Sequence, residues 1–257
     1  GDLRVKGEKV TAGTPTALPP MDSDLPKNRL GLAKWIARKD HPLTARVMVN
    51  RIWQQYFGRG LDSTSGDFGI RGDVPVHRDL LDWLAADFTE NDWDMKRIHK
   101  MIVLSAAYRQ EAIAEPEARE SDPENVHVAR GPRMRLSAEM IRDNALAVSG
   151  LLHEKVGGKS VRPFQPKGLW RAIGNGRTYR KDKGKDQYRR GLYVFWKRGV
   201  PYPSMITFDA AKRETCTTQR ATTTTPLQAL VLLNDPVYVE AARALGQRLI
   251  KEGGKTD

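Results

Sequence analysis

The stretch Pro42-Leu-Thr-Ala-Arg-Val-Met-Val-Asn-Arg-Ile-Trp53 decides the fold class, because its apolar residues recur at helical spacing. The residues that share this apolar face are Ala45, Val49, Ile52, Trp53 and Tyr56. Thr44 is placed to cap the helix, and Gly58 and Gly60 are placed to end it. A helix with one apolar face must bury that face against other elements, so we expect a helical core around it.

The same periodicity recurs along the chain. It predicts further helices over residues 30–36, 78–88, 94–107, 137–152, 225–234 and 235–251. Ser137 is a helix cap by type, and Thr225-Pro-Leu-Gln228 is a capping box with proline at the first helical position. The apolar run 191–196 is the best strand candidate, and 205–208 is its expected partner.

These patterns predict a mainly α fold, a multi-helix single domain of roughly seven to nine helices with a small β-hairpin insertion. Residues 1–28 are rich in proline, glycine and threonine and predict an extended N-terminal arm. Residues 29–257 are expected to form the single domain. No stretch is apolar enough for a membrane span.

The net charge of +12 is concentrated in one part of the chain. Residues 155–213 hold 16 Lys and Arg against three acids, whereas the rest is close to neutral. Nine aromatic residues are interleaved with these cations. Such a mixture is typical of surfaces that bind polyanions, either nucleic acid or acidic glycan. A solvated basic loop beside ordinary core aromatics stays open as the alternative.

Several classes of site are absent from the sequence. There is no P-loop, dinucleotide fingerprint, His-Glu-x-x-His or Gly-x-Ser-x-Gly motif. The five histidines are scattered, so we expect no metal site, and we expect no cofactor in this segment. Cys216 is the only cysteine, which excludes an intrachain disulfide, and we interpret it as a small buried side chain rather than a nucleophile.

Two clusters in the first half of the chain are candidate sites. Arg46 and Asn50 lie four residues apart on one helix with Arg51 beside them, and they could bind a carboxylate or sulfate. The alternative is a buried ion pair or a cap for a neighbouring helix. Asp67 lies in a glycine-flanked loop that a ligand could approach, with a simple Asx turn as the alternative.

Two further clusters lie in the second half. Glu139 and Asp143 could form an acid/base pair if one carboxylate were desolvated, or they could be ordinary first-turn acids with an arginine partner. Arg142, which lies between them, is a candidate anion-binding side chain. Arg220 precedes four threonines and a helix start, which is either an anion site or plain capping.

Many short motifs occur in one order along nearly the whole chain. They are Asn28-Arg-Leu-Gly-Leu-Ala-Lys-Trp35, the Pro42–Trp53 stretch, Phe57-Gly-Arg-Gly-Leu61, Gly66-Asp-Phe-Gly69, Leu80-Leu-Asp-Trp-Leu84, Ser105-Ala-Ala-Tyr-Arg-Gln110, Ala138-Glu-Met-Ile-Arg-Asp143, Phe208-Asp209, Cys216, Arg220 and Thr225-Pro-Leu-Gln-Ala-Leu-Val-Leu-Leu-Asn-Asp235. Together they resemble the planctomycete-specific C-terminal domain of unknown function that follows a cytochrome c-like haem domain in large exported proteins.

The resemblance implies an extracytoplasmic location (periplasmic or cell surface), other domains on a longer parent chain, and proximity to polysaccharide-degrading systems. It brings no established catalytic residues. It favours acidic or sulfated polysaccharide over nucleic acid as the polyanion, because the parent protein is exported.

The residues and the resemblance support four functional hypotheses. The leading one is a module that binds acidic polysaccharide through Arg190, Trp196 and Arg198. The second is a glycan-active enzyme that uses paired carboxylates, with Asp67, Glu139 and Asp209 as candidates. The third is nucleic-acid binding, and the fourth is structural docking of a haem domain in electron transfer.

Overall fold

A computed structural model describes residues 7–171 and 178–253 of the chain. These residues are mainly helical, as predicted. The α-helices are α1 (Arg29–Ile36), α2 (Thr44–Phe57), α3 (Arg78–Glu90), α4 (Met95–Leu104), α5 (Ala106–Arg109), α6 (Pro116–Ser121), α7 (Ala138–Val148), α8 (Pro203–Thr207), α9 (Pro226–Asn234) and α10 (Pro236–Glu252). Two short 3-10 helices cover Gly184–Tyr188 and Gly191–Tyr193.

The chain divides into two compact units, unit 1 (residues 1–134) and unit 2 (residues 135–257). Each unit has its own hydrophobic core. The expectation of a single domain over 29–257 stays a prediction. No helix among the described residues is both long and apolar enough to cross a lipid bilayer.

Unit 1 is built around α2, as the opening stretch predicts. Its core combines the apolar face of α2 with α3 and α4, and its buried members are Val49, Ile52, Trp53, Leu61, Leu81, Leu84, Phe88, Ile98 and Ile102. The start of α2 differs from the prediction. The Nδ1 atom of His41 accepts the backbone N–H groups of Leu43 and Thr44, while the Thr44 hydroxyl donates to the carbonyl of Ile36.

The arm contains no helix or strand over residues 7–28. Two side chains attach it to the start of the helical region. Trp35 donates its indole N–H to the carbonyl of Pro19 at 2.8 Å, and Arg38 donates to the carbonyl of Pro20. Gly31 lies so close to the arm that a Cβ atom would stand 1.9 Å from the Pro26 carbonyl oxygen. Close approach of the arm therefore requires glycine at this position.

Unit 2 packs α7 and α8 together over a second core, whose buried members are Ala138, Val194, Tyr202, Met205, Phe208 and Ala210. Its predicted caps are confirmed. The Ser137 hydroxyl accepts the N–H of Met140 at the start of α7. Thr225 and Gln228 form the capping box of α9, and the Asp235 carboxylate accepts the N–H of Val237 at the start of α10. These local signals place three helices correctly.

The predicted β-hairpin is wrong. Residues 191–193 form a 3-10 helix, and residues 205–207 belong to α8. The physical reason lies in the flanking residues. Pro203 is the first residue of α8, a position where the missing backbone N–H breaks no helical hydrogen bond. The backbone N–H of Gly191 donates to the Asp143 carboxylate, so it is not available for pairing between two strands. Within the described residues, β pairing is limited to isolated bridges, one of which joins Val161 and Val194.

Candidate anion-binding cleft

An open cleft of about 640 Å³ lies in the basic segment of unit 2. Its lining comes from two stretches, 155–162 and 182–195, and consists of Lys155, Lys159, Ser160, Val161, Arg162, Asp182, Asp186, Arg189 and Phe195. Four of these side chains are cationic and two are acidic, which leaves a surplus of two positive charges. A concave surface with excess positive charge concentrates anions near it.

Residues 155–159 form one rim of the cleft, and a buried arginine holds their backbone in place. Arg189 is 2% exposed, and its guanidinium donates to the carbonyls of Lys155, Gly157 and Lys159 at 2.8, 2.6 and 2.9 Å. The ring of Tyr193 lies 3.7 Å from the same guanidinium, and its hydroxyl accepts the N–H of Gly157. One buried side chain therefore organises the whole rim.

A second part of the cleft lining, formed by Val161, Arg162 and Phe195, is positioned by the β-bridge between Val161 and Val194. The N–H of Val161 donates to the Tyr193 carbonyl at 2.8 Å, and the N–H of Phe195 donates to the Val161 carbonyl at 2.7 Å. This pairing brings Arg162 alongside Phe195, with the guanidinium 5.0 Å from the ring centre. This contact with the aromatic ring does not neutralise the charge of the guanidinium.

The two acids of the cleft do not pair with its cations. Asp182 accepts the backbone N–H of Arg162 at 2.7 Å, and its own N–H returns to the Arg162 carbonyl at 2.9 Å. Within the described residues, no carboxylate lies within 4.0 Å of the side-chain nitrogens of Lys155, Lys159 or Arg162. The cleft therefore presents cations that are available to an anionic ligand.

The three side chains expected to bind polysaccharide do not line this cleft. Arg190 pairs with Asp143 at 2.9 Å. The ring of Trp196 packs against the core of unit 2, and the guanidinium of Arg213 lies 4.9 Å from its centre. Arg198 is exposed. Lys155, Lys159 and Arg162, which do line the cleft, carry no local sequence signal that separates them from their neighbours.

Arg142 is also buried rather than available to a ligand. It is 2% exposed, and its guanidinium donates to the carbonyls of Gln187 and Arg189 at 2.7 and 3.4 Å. These contacts join α7 to the segment that leads into the cleft. Arg142 therefore supports the cleft from within unit 2.

Comparison with known families matches residues 28–256 to the family described as "PSD1: Protein of unknown function (DUF1553)". The chain belongs to this family. No curated protein and no solved structure gave a match. The family match covers the cleft and the cores of both units of this PSD1 domain.

Two carboxylates of this PSD1 domain, predicted as catalytic candidates, are bound by arginines in unit 2. Glu139, at the start of α7, receives both guanidinium nitrogens of Arg220 at 2.7 and 3.2 Å. Burial acts to raise the pKa of Glu139, but the hydrogen bond and charge of Arg220 outweigh it, so the pKa lies below its ordinary value. Glu139 is thus a poor proton donor at neutral pH.

The pKa of Asp209 is also lowered by the donors that surround its carboxylate. Its carboxylate accepts the N–H and the hydroxyl of Thr223 at 2.8 and 2.9 Å, and Arg135 donates to it at 2.6 Å. Burial would raise the pKa of Asp209, but these donors together lower it. The backbone of Asp209 has a φ of 61°, which presents the carboxylate to the threonine segment. The predicted anion site near Arg220 is therefore filled by the protein's own acids.

The remaining predicted residues lie in unit 1. Arg46 donates to Asp82 at 2.6 Å and to the Pro42 carbonyl at 2.5 Å, which joins α2 to α3. Asn50 is completely buried and bridges both backbone groups of Asp62, so no ligand reaches it. Arg51 is exposed, and Asp67 accepts the N–H of Gly69 in the predicted Asx turn. These side chains do not form a common binding site in unit 1.

Cys216 is exposed, so the interpretation of a small buried side chain is wrong. The segment that follows Cys216 is held by hydrogen bonds that Arg220 donates to Glu139 and Thr223 donates to Asp209, and the thiol lies outside the core. Within the described residues, no group of three or more His, Cys, Asp or Glu is placed to hold a metal ion. The expectation of no cofactor stays an expectation.

Acid should weaken unit 2 through these carboxylates. Because the folded pKa of Glu139 lies below its ordinary value of 4.5, its stabilising contribution is present above that pH and is lost as the pH falls through the folded pKa. We expect Glu139→Gln to lower the free energy of unfolding of unit 2 by about 1 kcal/mol at pH 7 and to flatten its decline in acid. Urea unfolding between pH 7 and pH 3 measures both effects.

The matched control is Glu154→Gln, an exposed glutamate that forms no ion pair within the described residues. It should leave both the stability at pH 7 and the acid decline unchanged. An acid decline in Glu139→Gln as steep as in the parent chain would show that the Arg220 pair contributes nothing to stability.

Proposed function

We propose that this PSD1 domain binds acidic polysaccharide, above all sulfated polysaccharide, through the basic cleft of unit 2. The observation that carries the proposal is the grouping of Lys155, Lys159 and Arg162 in one concave surface, with no carboxylate within 4.0 Å among the described residues. Four cations opposite two acids give the cleft a charge that favours an anion.

The chemistry of these side chains suits sulfate esters. A guanidinium presents parallel N–H donors that match two oxygens of one sulfate, and the guanidinium of Arg162 lies over the ring of Phe195. The two lysines act as point charges on a flexible stem and can follow sulfates at variable spacing. The open shape of the cleft suits part of a long chain.

The proposal extends to location and partners. We propose that this domain acts outside the cytoplasm, because sulfated glycans occur there. The resemblance to domains of exported proteins supports the same location. Docking of a haem domain of the parent chain is not favoured by any contact in the described residues. Glycan cleavage is not favoured either, because Arg220 lowers the pKa of Glu139, while Thr223 and Arg135 lower the pKa of Asp209, which leaves neither as a general acid.

The test is binding of heparin to the double variant Lys159→Glu/Arg162→Glu. Its matched control is Lys167→Glu/Arg198→Glu, two exposed cations of the same segment that do not line the cleft. Both variants change the net charge equally. We expect the cleft variant to lose at least about 20-fold in affinity at physiological salt and the control to lose less than about threefold.

Calorimetric titration measures the affinity, and uncharged dextran serves as the negative glycan. Equal losses in both variants would mean that heparin binds the general positive surface, which overturns the proposal. Heparin that emerges shortened on size exclusion would replace a binding function with an enzymatic one. A single-stranded oligonucleotide that displaces heparin at physiological salt would instead favour nucleic acid.

A further inference from the structure

A second cavity lies in unit 1, far along the sequence from the basic segment. It has a volume of about 280 Å³. Its floor is aromatic and aliphatic, formed by Trp53, Phe57 and Leu61. Its lip carries Val74 and Val76, which are 81% and 58% exposed. Exposed valines beside an apolar floor form a surface on which burial of an apolar ligand is favourable.

The charges around this cavity do not cancel. Arg59 lines it but is paired with Glu124 at 2.5 Å. Asp73 lines it and forms no ion pair within the described residues. One Asp73 oxygen accepts the hydroxyl of Ser63, and no protein donor within the described residues reaches the other. Asp73 is exposed, so its carboxylate is accessible to a ligand that enters the cavity.

The backbone of Asp73 is held by a series of hydrogen bonds that starts at the buried side chain of Asn50. Asn50 on α2 bridges the N–H and C=O of Asp62 at 2.9 and 3.0 Å. The Asp62 carboxylate accepts the hydroxyl of Thr64 at 2.8 Å, and the Thr64 oxygen accepts the N–H of Asp73 at 3.0 Å.

A glycine completes this loop. A Cβ atom at Gly72 would stand 2.1 Å from the carbonyl oxygen of Asp67, so the turn before Asp73 accepts no side chain. In this conformation of the loop, Asp73 lines the cavity. A charged group presented by a well-anchored loop is the geometry of a preorganised binding site.

His77 also lines the cavity, and its Nε2 atom lies 3.0 Å from the carbonyl oxygen of Val126. Because a carbonyl oxygen only accepts, Nε2 donates this hydrogen bond. The carboxylate of Asp73 is therefore the acceptor that the cavity offers to a ligand that donates hydrogen bonds.

We propose that this cavity binds a small organic ammonium ion with an apolar body, with Asp73 as its counter-charge. The apolar part covers Phe57 and the valines of the lip, and the ammonium group donates to Asp73. The small volume limits the ligand to the size of a monosaccharide or an amino acid side chain, so the affinity is modest. This inference does not depend on the polysaccharide proposal.

The test uses benzylammonium as the probe and benzyl alcohol as its neutral counterpart, each titrated into the full chain by NMR. We expect saturable binding of benzylammonium at millimolar concentration or better, with shifts at the indole of Trp53 and the methyl groups of Val74 and Val76. Benzyl alcohol should bind at least about tenfold more weakly.

Two variants complete the test. Asp73→Asn keeps the shape and the hydrogen bond that the backbone N–H donates to Thr64, and should weaken benzylammonium binding at least about tenfold. Asp67→Asn removes a charge from the same loop outside the cavity, and should leave binding unchanged. The inference fails if no saturable binding occurs, if benzyl alcohol binds equally well, or if both variants respond alike.

Discussion

Replacing Arg189 with methionine is expected to abolish heparin binding while the folded fraction of unit 2 remains measurable. The methionine keeps most of the buried volume but removes the donors to the carbonyls of Lys155, Gly157 and Lys159. It also removes the stacking on Tyr193. Since three charged hydrogen bonds are lost and each contributes at least about 1.5 kcal/mol, we expect the free energy of unfolding of unit 2 to fall by about 4.5 kcal/mol.

The affinity should fall more than the lost folded fraction explains, because the rim that carries Lys155 and Lys159 loses its support. Calorimetry with heparin gives the affinity, and hydrogen exchange of the amides of α7 gives the stability of unit 2. Arg189→Lys restores the charge but not the three-way fork, so it should recover less than half of either loss.

The control is Arg198→Met, an exposed arginine of the same segment. It should change the stability by less than about 0.5 kcal/mol and the affinity by less than about threefold. If Arg189→Met bound heparin as the parent chain does at a temperature where it is folded, the rim would need no support from Arg189. The positioning role would then be excluded.

Replacing Asn50 with leucine is expected to produce the largest loss of stability in unit 1. The side chain is completely buried, and its amide satisfies both the N–H and the C=O of Asp62. Leucine is similar in size but leaves both backbone groups without a partner in the interior. Each such group costs about 1–3 kcal/mol, so we expect the free energy of unfolding of unit 1 to fall by about 3 kcal/mol or more.

Arg51→Leu is the matched control, since Arg51 is the next residue of α2 and is exposed. It should alter the stability by less than about 0.5 kcal/mol. Urea unfolding, followed by hydrogen exchange of the amides of α3, separates the two outcomes. If both variants had similar stability, the Asn50 bridge would contribute little to the stability of the 58–62 loop.

The same variant connects the fold to the second cavity. Asn50 begins the series of hydrogen bonds that ends at the backbone of Asp73, so its loss should also release the loop that presents the carboxylate. In the residual folded fraction of Asn50→Leu, we expect weaker benzylammonium binding than in the parent chain. This effect is absent from Arg51→Leu, which leaves these hydrogen bonds untouched.

The sequence by itself determined the long helices, three of their caps and the position of the charged segment. Helix periodicity and capping depend on residues within about four positions, so Val49, Ile52 and Trp53 could be assigned to one face, and Ser137, Thr225 and Asp235 to helix starts. Net charge depends only on residue type, so the position of the basic segment could be assigned in the same way.

Tertiary structure alone decided which charged side chains are available to a ligand. Arg189 and Arg190 are adjacent and of one type, yet Arg189 is buried beneath the rim and Arg190 pairs with Asp143 on the surface. Arg220 and Glu139 meet across 81 positions. Contacts over such separations leave no local pattern, because the chain path that brings the partners together is set by the packing of the core.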